Sequence, residues 1–437
     1  MKVGEASGPR PSSANLGGAL VKSTRRGGRP PLSYQRALAW LYELQRFGIK
    51  LGLETTRRLL AERQAEPGDA RVIHVAGTNG KGSVCAMIES IARASGRRTG
   101  LFTSPHLVTF RERIRVNGAM ISEEAVADGL NALQNLIKKE ETPPTFFEIT
   151  TVLALKHFSN EKVDVVVLET GMGGRLDSTN AVQSAASVIT SIGLDHQKWL
   201  GQTVREIAFE KAGIIKQGTP VISAPQPPEA GEVIRARATD CAASLEYVQE
   251  PYELSPVALR GTHQKQNAAL ALAAIRAAGI DVDQASIARG LASVEWPARF
   301  QRWDEHTIID GAHNPAAARV LTQTWREIFG DQRATLIFAV LSDKDVRGIV
   351  EALAPIADRI LLPKIRSERA LAPEELAEII SSITPKLQCS IAPSLAEALD
   401  AARAKLNPIL ITGSLHFAGE ALAHLKGIPA AFEECAQ

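Results

Sequence analysis

The stretch Val72-Ile-His-Val-Ala-Gly-Thr-Asn-Gly-Lys-Gly-Ser83 runs from apolar, β-branched residues into a loop with three glycines, a lysine and a hydroxyl. Glycine at 77, 80 and 82 lets backbone N–H groups crowd around phosphate oxygens, while Lys81 brings a point charge to the β- and γ-phosphates. Val84 to Ala94 then reads as a helix, so strand, glycine loop and helix follow in the order a nucleoside triphosphate site requires. The spacing is not that of the ordinary phosphate loop, which would put glycine at 75 and a hydroxyl at 82, where this chain has Val75 and Gly82. A magnesium-bound triphosphate also needs an oxygen ligand, usually an acid at the end of a hydrophobic strand. Glu169 ends Val163-Asp-Val-Val-Val-Leu168 and precedes the glycine-rich Thr170-Gly-Met-Gly-Gly-Arg-Leu-Asp-Ser-Thr-Asn180. Ser187 to Ile192 leads in the same way to Gly193-Leu-Asp-His196, which offers a carboxylate and an imidazole. Two neighbouring strand ends with ligand-type residues suggest two metal ions.

Short β-branched runs alternating with longer helical patterns are the signature of an α/β fold with a largely parallel sheet. One series holds residues 71–75, 163–168, 187–192 and 220–223. A second holds 307–310, 334–340, 358–362 and 408–412, separated by apolar-periodic stretches near 315–329, 345–354, 373–382 and 394–405. The expectation is a phosphate-loop ATPase-type N-terminal domain over 33–297 with a mostly parallel sheet, and a smaller Rossmann-like α/β domain over 298–430. The break is placed at Trp296-Pro297-Ala298-Arg299, which makes the cleft between the domains the default ligand site. Residues 1–32, rich in Gly, Ser, Pro and Arg, predict a disordered extension.

The 437 residues, 45% of them hydrophobic, suffice for two or three domains with real cores. With 50 Lys+Arg against 48 Asp+Glu the net charge is +2, which gives no field to gather nucleic acid or anionic membrane. No uninterrupted apolar stretch approaches the roughly 18 to 20 residues of a membrane helix. Cys85, Cys241, Cys389 and Cys435 lie far apart with no CxxC pair, which fits a reducing compartment, and the expectation is a soluble cytoplasmic protein.

Taken in order, Ala76-Gly-Thr-Asn-Gly-Lys-Gly-Ser83, Thr103-Ser-Pro-His-Leu107, Glu112-Arg-Ile-Arg115, Glu169 to Asn180, Asp195-His196, Glu210-Lys-Ala-Gly213 and Asp310-Gly-Ala-His-Asn-Pro315 carry a resemblance. Over about residues 33 to 428 the chain resembles the folylpolyglutamate synthase and dihydrofolate synthase branch of the Mur ligase superfamily. The glycine loop alone matches the wider superfamily, whereas the Ser-Pro-His-Leu, Gly-Gly-Arg-Leu-Asp-Ser-Thr-Asn and Asp-Gly-Ala-His-Asn-Pro motifs match the folate branch. The resemblance implies that Asn79, Gly80, Lys81 and Gly82 bind ATP phosphates with Ser83 alongside. It implies that Ser104 and Glu169 hold one Mg²⁺, and that His196 holds the second. It also implies that Lys211, an ordinary helix lysine by its local sequence, is the family lysine carbamylated by CO₂. Asn267 falls near the adenine, Arg299 at the domain boundary and Asp310 toward the ribose, with His313 a second-domain contact to phosphate or to the incoming amino acid. Lys50, Leu51, Gly52 and Leu53, Thr145, Phe146, Phe147 and Glu148, and Leu176, Asp177 and Ser178 fall where the bifunctional enzymes contact dihydropteroate. Two adjacent phenylalanines supply a flat apolar wall for a ring, or ordinary core.

These residues together imply an ATP-dependent ligase that adds L-glutamate to dihydropteroate, to (tetrahydro)folate polyglutamates, or to both, through an acyl phosphate. Lys81, His196 and Lys211 are its expected catalytic residues, with small molecules as partners and a monomer as the working form. The alternatives are another Mur-type amide ligase, or a nucleotide switch that hydrolyses ATP without requiring glutamate.

Overall fold

Val72–Ala76 and Val165–Glu169 are buried on both faces, as continuous apolar runs must be in a parallel sheet with helices on either side. They sit at the centre of one of two sheets in the computed structural model, which describes residues 33–48, 50, 52–138 and 141–433. The expected extension 1–32, and Leu51 among the expected pterin contacts, lie outside the described residues.

The first lobe runs α1 (Tyr34–Glu43), α2 (Glu54–Arg63), β1 (Arg71–Ala76), α3 (Lys81–Ala94), β2 (Thr99–Phe102), β3 (Ile114–Val116) and β4 (Ala119–Met120). It continues through α4 (Glu123–Ile137), α5 (Phe146–Asn160), β5 (Val165–Glu169), β6 (Ala186–Ile189), α6 (Gln197–Leu200), α7 (Val204–Ala212) and β7 (Val221–Ser223). It ends with α8 (Pro228–Asp240), β8 (Leu245–Tyr247), α9 (Thr262–Ala277) and α10 (Gln284–Ser293). The second lobe runs β9 (Gln301–Arg302), β10 (Thr307–Ile309), α11 (Pro315–Phe329), β11 (Ala334–Phe338), α12 (Val346–Leu353) and β12 (Ala357–Pro363). It closes with α13 (Pro373–Ile383), β13 (Gln388–Ala392), α14 (Leu395–Arg403), β14 (Ile409–Thr412) and α15 (Leu415–Leu425).

The eight-stranded sheet has the order β4-β3-β2-β5-β1-β6-β7-β8, parallel from β2 to β8, with β3 and β4 antiparallel at one edge. The six-stranded sheet has the order β13-β12-β11-β14-β10-β9, parallel except at β9. This is the expected α/β architecture, a larger mostly parallel sheet followed by a smaller one. Side chains alternate between faces with period two. Leu336 and Phe338 enter one core of the second lobe, and Ile337 and Ala339 enter the core on its other face.

One expectation is corrected here. The strand ends at Glu169 and Asp195-His196 are not neighbours, because β1 inserts between β5 and β6: Val75 pairs with Glu169 on one side and with Val188 on the other. Successive strands in the sequence thus lie on opposite sides of β1, and at such a switch point the loops part and leave a crevice at the carboxyl ends. The phosphate loop emerges from β1 into that crevice, flanked by the two candidate ligand-bearing strand ends.

Candidate active site

The phosphate loop is shaped by close approach. Gly77, at φ 149°, leaves no room for a side chain, since a Cβ there would lie 1.8 Å from Thr190 Oγ1. Thr78 N–H and Asn79 N–H donate to Ser191 O at 2.8 and 3.2 Å, pinning the loop to the segment after β6. Gly80, in the left-handed region at φ 90°, turns the chain into α3, whose first residue is Lys81. The first N–H groups of α3 therefore face the cleft with the positive end of its dipole behind them. Lys81 Nζ folds back over the loop and donates to Gly77 O and Thr78 O at 3.1 and 3.2 Å.

The cleft has a volume of about 380 Å³, within the range of small-molecule sites. It gathers every expected residue of the nucleotide and metal sets: Asn79 to Ser83, Ser104, Glu169, His196, Lys211, Asn267, Arg299, Asp310 and His313 all line it. Glu169 is buried, and burial pushes its carboxyl up despite the nearby Lys81 ammonium and the Ser104 N–H, which donates to Glu169 Oε2 at 3.1 Å. The Ser104 hydroxyl is also buried and meets no hydrogen-bond partner among the described residues. A buried hydroxyl without a partner beside a destabilised carboxylate is the donor set of a hard cation, so these residues fit Mg²⁺. No group of three or more His, Cys, Asp or Glu that could hold a metal occurs among the described residues.

Burial and the Lys81 charge push the Lys211 ammonium down to about 7, and its Nζ donates to Gly77 O at 2.7 Å. Burial likewise brings His196 down to about 4, so at neutral pH its imidazole keeps a lone pair for a metal. Its backbone is left-handed at φ 51°. Burial alone would raise Asp195, but the hydrogen bond from His313 and the positive groups around it, Lys344 among them, outweigh it and hold the carboxyl well below its usual range. Lys344 Nζ lies 3.0 Å from Asp195 Oδ1, and His313 Nε2 lies 3.5 Å from Asp195 Oδ2.

Arg299 is aimed by two strained neighbours. Ala298 and Phe300 have φ of 57° and 44°, a conformation costing roughly 1–2 kcal/mol in each non-glycine residue. The turn is overdetermined by Gly311 N–H donating to Ala298 O at 2.9 Å and Phe300 N–H to Asp310 Oδ2 at 2.7 Å. One carboxylate oxygen of Asp310 thus holds the hinge, and the other accepts from Ala312 N–H at 2.8 Å.

The expected pterin residues divide differently. Phe146 stacks on Tyr42 at 5.6 Å and meets Phe110 edge-on, so it belongs to the core, whereas Phe147 packs beneath Gly171. Thr145 and Glu148 cap each other's backbone at the start of α5, with Thr145 N–H donating to Glu148 Oε2 at 2.7 Å. Asp177 accepts from Met172 N–H and from Thr179, Ser178 is buried beside it, and Leu176 is half-buried. Lys50 Nζ donates to Pro143 O, Gly52 has a positive φ of 149°, and Leu53 occupies the position before α2 without a side-chain cap. None of these lines the cleft.

Sequence reading missed Lys344 and Asn314. Lys344 follows β11 in Leu341-Ser-Asp-Lys-Asp345, at the carboxyl end of a parallel strand, where the crevice rule would have flagged it. Asn314 caps α11 through Oδ1, which accepts from Ala317 N–H at 2.8 Å, while its Nδ2 donates to Asn79 Oδ1 at 3.1 Å and Asp195 Oδ2 at 3.2 Å. The phosphate loop is therefore bonded directly to the second lobe. Asn314→Asp keeps the cap but replaces the donor with a carboxylate facing Asp195. The expected outcome is a 10- to 100-fold fall in kcat/KM for ATP, roughly 1.4–2.8 kcal/mol, with a Tm close to the parent's. Steady-state kinetics and a thermal melt read both.

Family models match in two places: Mur ligase middle domain over residues 75–224, and Mur ligase, glutamate ligase domain over 298–415. The dihydrofolate synthase/folylpolyglutamate synthase of Bacillus subtilis (strain 168) is 36% identical over 428 residues, which cover 90% of this chain and 99% of that one. The chain belongs to the dihydrofolate synthase/folylpolyglutamate synthase family. Among solved members, E. coli FolC in complex with DHPP and ADP superposes with a TM-score of 0.81 at 33% identity, covering 90% of this chain and 98% of that one. The bifunctional folylpolyglutamate synthase/dihydrofolate synthase from Yersinia pestis, complexed with AMPPNP and Mn ion, gives 0.81 at 30% identity, covering 91% and 100%. Like other members of this dihydrofolate synthase/folylpolyglutamate synthase family, the chain is a ligase. No helix among the described residues is long and apolar enough to cross a membrane.

Proposed function

We propose that this ligase joins L-glutamate to the carboxyl of a pteroyl compound, dihydropteroate or reduced folate polyglutamates or both, using ATP. The observation that carries the reading is the cleft itself, in which a phosphate loop on one lobe faces Asp310 and His313 on the other, with Lys344 of the second lobe paired to Asp195 in its wall. Family membership narrows the acceptor to a pteroyl substrate.

A carboxylate is a poor acyl donor because oxide is a bad leaving group. The pteroyl carboxylate oxygen attacks the γ-phosphorus, the bond to the β-phosphate oxygen breaks, and ADP leaves with an acyl phosphate behind. Glutamate's neutral amine then attacks the acyl carbon, loses a proton, and expels inorganic phosphate as the amide forms. Lys81 and the first N–H groups of α3 orient the triphosphate and take up the charge that grows on it. Asn79, Gly80, Gly82 and Ser83 complete the phosphate cradle, with Asn267, Arg299 and Asp310 around the nucleoside and His313 toward the phosphate or the incoming amino acid. Ser104 and Glu169 would hold one Mg²⁺ and His196 a second, supplying positive charge against the phosphates when bound. Lys211 would be the carbamylation site: a carbamate forms only from a neutral amine, and burial pushes this ammonium down to about 7, so part of it is unprotonated at neutral pH. Closure of the second domain, 298–430, over the first, 33–297, excludes water from the acyl phosphate. The reading carries with it a monomer in the cytoplasm.

The test is ADP release with Mg²⁺-ATP and L-glutamate, with dihydropteroate, tetrahydrofolate or no pterin, and mass spectrometry of the pterin. A gain of one glutamate residue with either pterin, in step with ADP, supports the ligase, and gain with both makes it bifunctional. ADP release that ignores glutamate and pterin would overturn it.

A further inference from the structure

Ser104 and Glu169 belong to the first lobe, yet the loop that carries Ser104 is held mostly from the second. Between β2 and the 3₁₀ turn at Phe110–Arg113, the chain from Ser104 to Thr109 leaves the first sheet and enters the other lobe's core, where Val108 packs among Phe417, Ala418, Ala421 and Leu422. Helix α15 lies directly on it, since a Cβ at Gly419 would meet Leu107 O at 1.9 Å. From its own side the loop is gathered by Glu112, whose carboxylate accepts from the N–H groups of Leu107, Val108 and Thr109 at 2.8, 3.0 and 3.1 Å.

The remaining contacts come from the strap after α15. Glu433 N–H donates to Val108 O at 2.8 Å. Its carbonyl bonds His106 Nε2 at 3.0 Å, and Arg113 Nε donates to His106 Nδ1 at 2.9 Å, which makes the Nε2 side the donor. Its carboxylate accepts from Phe110 N–H at 2.5 Å, Thr109 Oγ1 at 3.2 Å and Tyr34 Oη at 3.1 Å. The strap is anchored in turn by Phe432 edge-on to His416 and by Arg366 Nη1 donating to Pro429 O at 3.1 Å. Every residue from His106 to Phe110 is thus fixed by Glu433, Glu112, Arg113 or α15, and the next residues back are Pro105 and Ser104.

We propose that Glu433 is a positioning residue for the divalent-metal site: by clamping His106 to Phe110 it holds the Ser104 hydroxyl and N–H against Glu169. The inference rests on the reading of Ser104 and Glu169 as metal ligands. Groups bonded directly to a metal's ligands typically set its affinity by 10- to 100-fold, and Glu433 acts one step further out, through His106 to Phe110, which puts its effect at the low end of that range.

The experiment measures Mn²⁺ binding by electron paramagnetic resonance in the presence of AMPPNP, alongside thermal melts. Four proteins are compared: parent, Glu433→Ala, Ser104→Ala, and Ile380→Ala as a control. Ile380 is fully buried on the opposite face of the second sheet, so its variant weakens the second lobe without touching the strap. Glu433→Ala is expected to raise the Mn²⁺ Kd about tenfold, with Ser104→Ala raising it at least as much and Ile380→Ala leaving it unchanged. An unchanged Kd in Glu433→Ala beside a raised one in Ser104→Ala overturns the positioning role and leaves the metal site standing. Unchanged values in both overturn the metal reading and this inference with it. An equal rise in Ile380→Ala overturns the role as mere loss of stability. Glu433→Gln, which keeps the shape but loses one acceptor and the charge, gives the same reading if the alanine variant does not fold.

Discussion

Lys81→Ala is expected to lower kcat/KM for ATP about 10³-fold or more, close to 4 kcal/mol of lost transition-state stabilisation, while the protein stays folded. The loss is large because the ammonium acts where charge grows on the phosphates, half-buried in the cleft. Stability should hardly move, since Nζ makes only two bonds, both to carbonyls of its own loop. A normal circular dichroism spectrum and melt beside an inactive enzyme is the expected pair of results. A folded variant with near-parent activity would remove Lys81 from the mechanism.

The second large effect joins activity and stability with opposite signs. Lys211→Met is expected to abolish ligation and yet raise Tm at pH 7 in CO₂-free buffer. An unmodified lysine pushed down to about 7 by burial binds fewer protons in the folded protein than in the unfolded chain. Stability from this group therefore rises with pH from about 7 to the ordinary lysine value, and is at its lowest below that window. At roughly 1.4 kcal/mol per pKa unit, the buried amine costs on the order of 4 kcal/mol at pH 7. Methionine removes that cost and loses one bond, to Gly77 O, worth about 1 kcal/mol, so Tm should rise by a few degrees. The gain should shrink toward pH 10. For the parent, removing CO₂ should depress activity and bicarbonate restore it, and the restoration should weaken below pH 7 as the amine protonates. A variant no more stable than the parent would show that the lysine is not held neutral, and an active one that no carbamate is needed.

Strands and helices were legible because their signal is local. The β-branched runs read at 71–75, 163–168 and 334–340 fold as β1, β5 and β11, and the apolar period near 315–329 folds as α11. The phosphate loop was legible for the same reason, since glycines at 77, 80 and 82 answer to steric demands of their own neighbourhood. The setting of the expected pterin residues was not read from the sequence: Thr145 and Glu148 cap the start of α5, and Asp177 accepts from the N–H groups of Met172 and Thr179.

Residue types in order were enough to specify the chemistry: a triphosphate cradle, an acid at a strand end, a histidine, and a ligase family to which they belong. Strand order needed the folded chain, because pairing of β1 between β5 and β6 depends on contacts about a hundred residues apart. The same holds for the bond from Asn314 to Asn79, the pairing of Lys344 with Asp195, and the grip of Glu433 on the Ser104 loop. Each joins groups separated by 149 to 327 positions, or more than 230 in the case of the two asparagines. Propensity and period act over a few residues, so they build the elements. Which distant polar groups meet is settled by how the two sheets pack, where burying apolar faces leaves each polar group to find the partner that satisfies it.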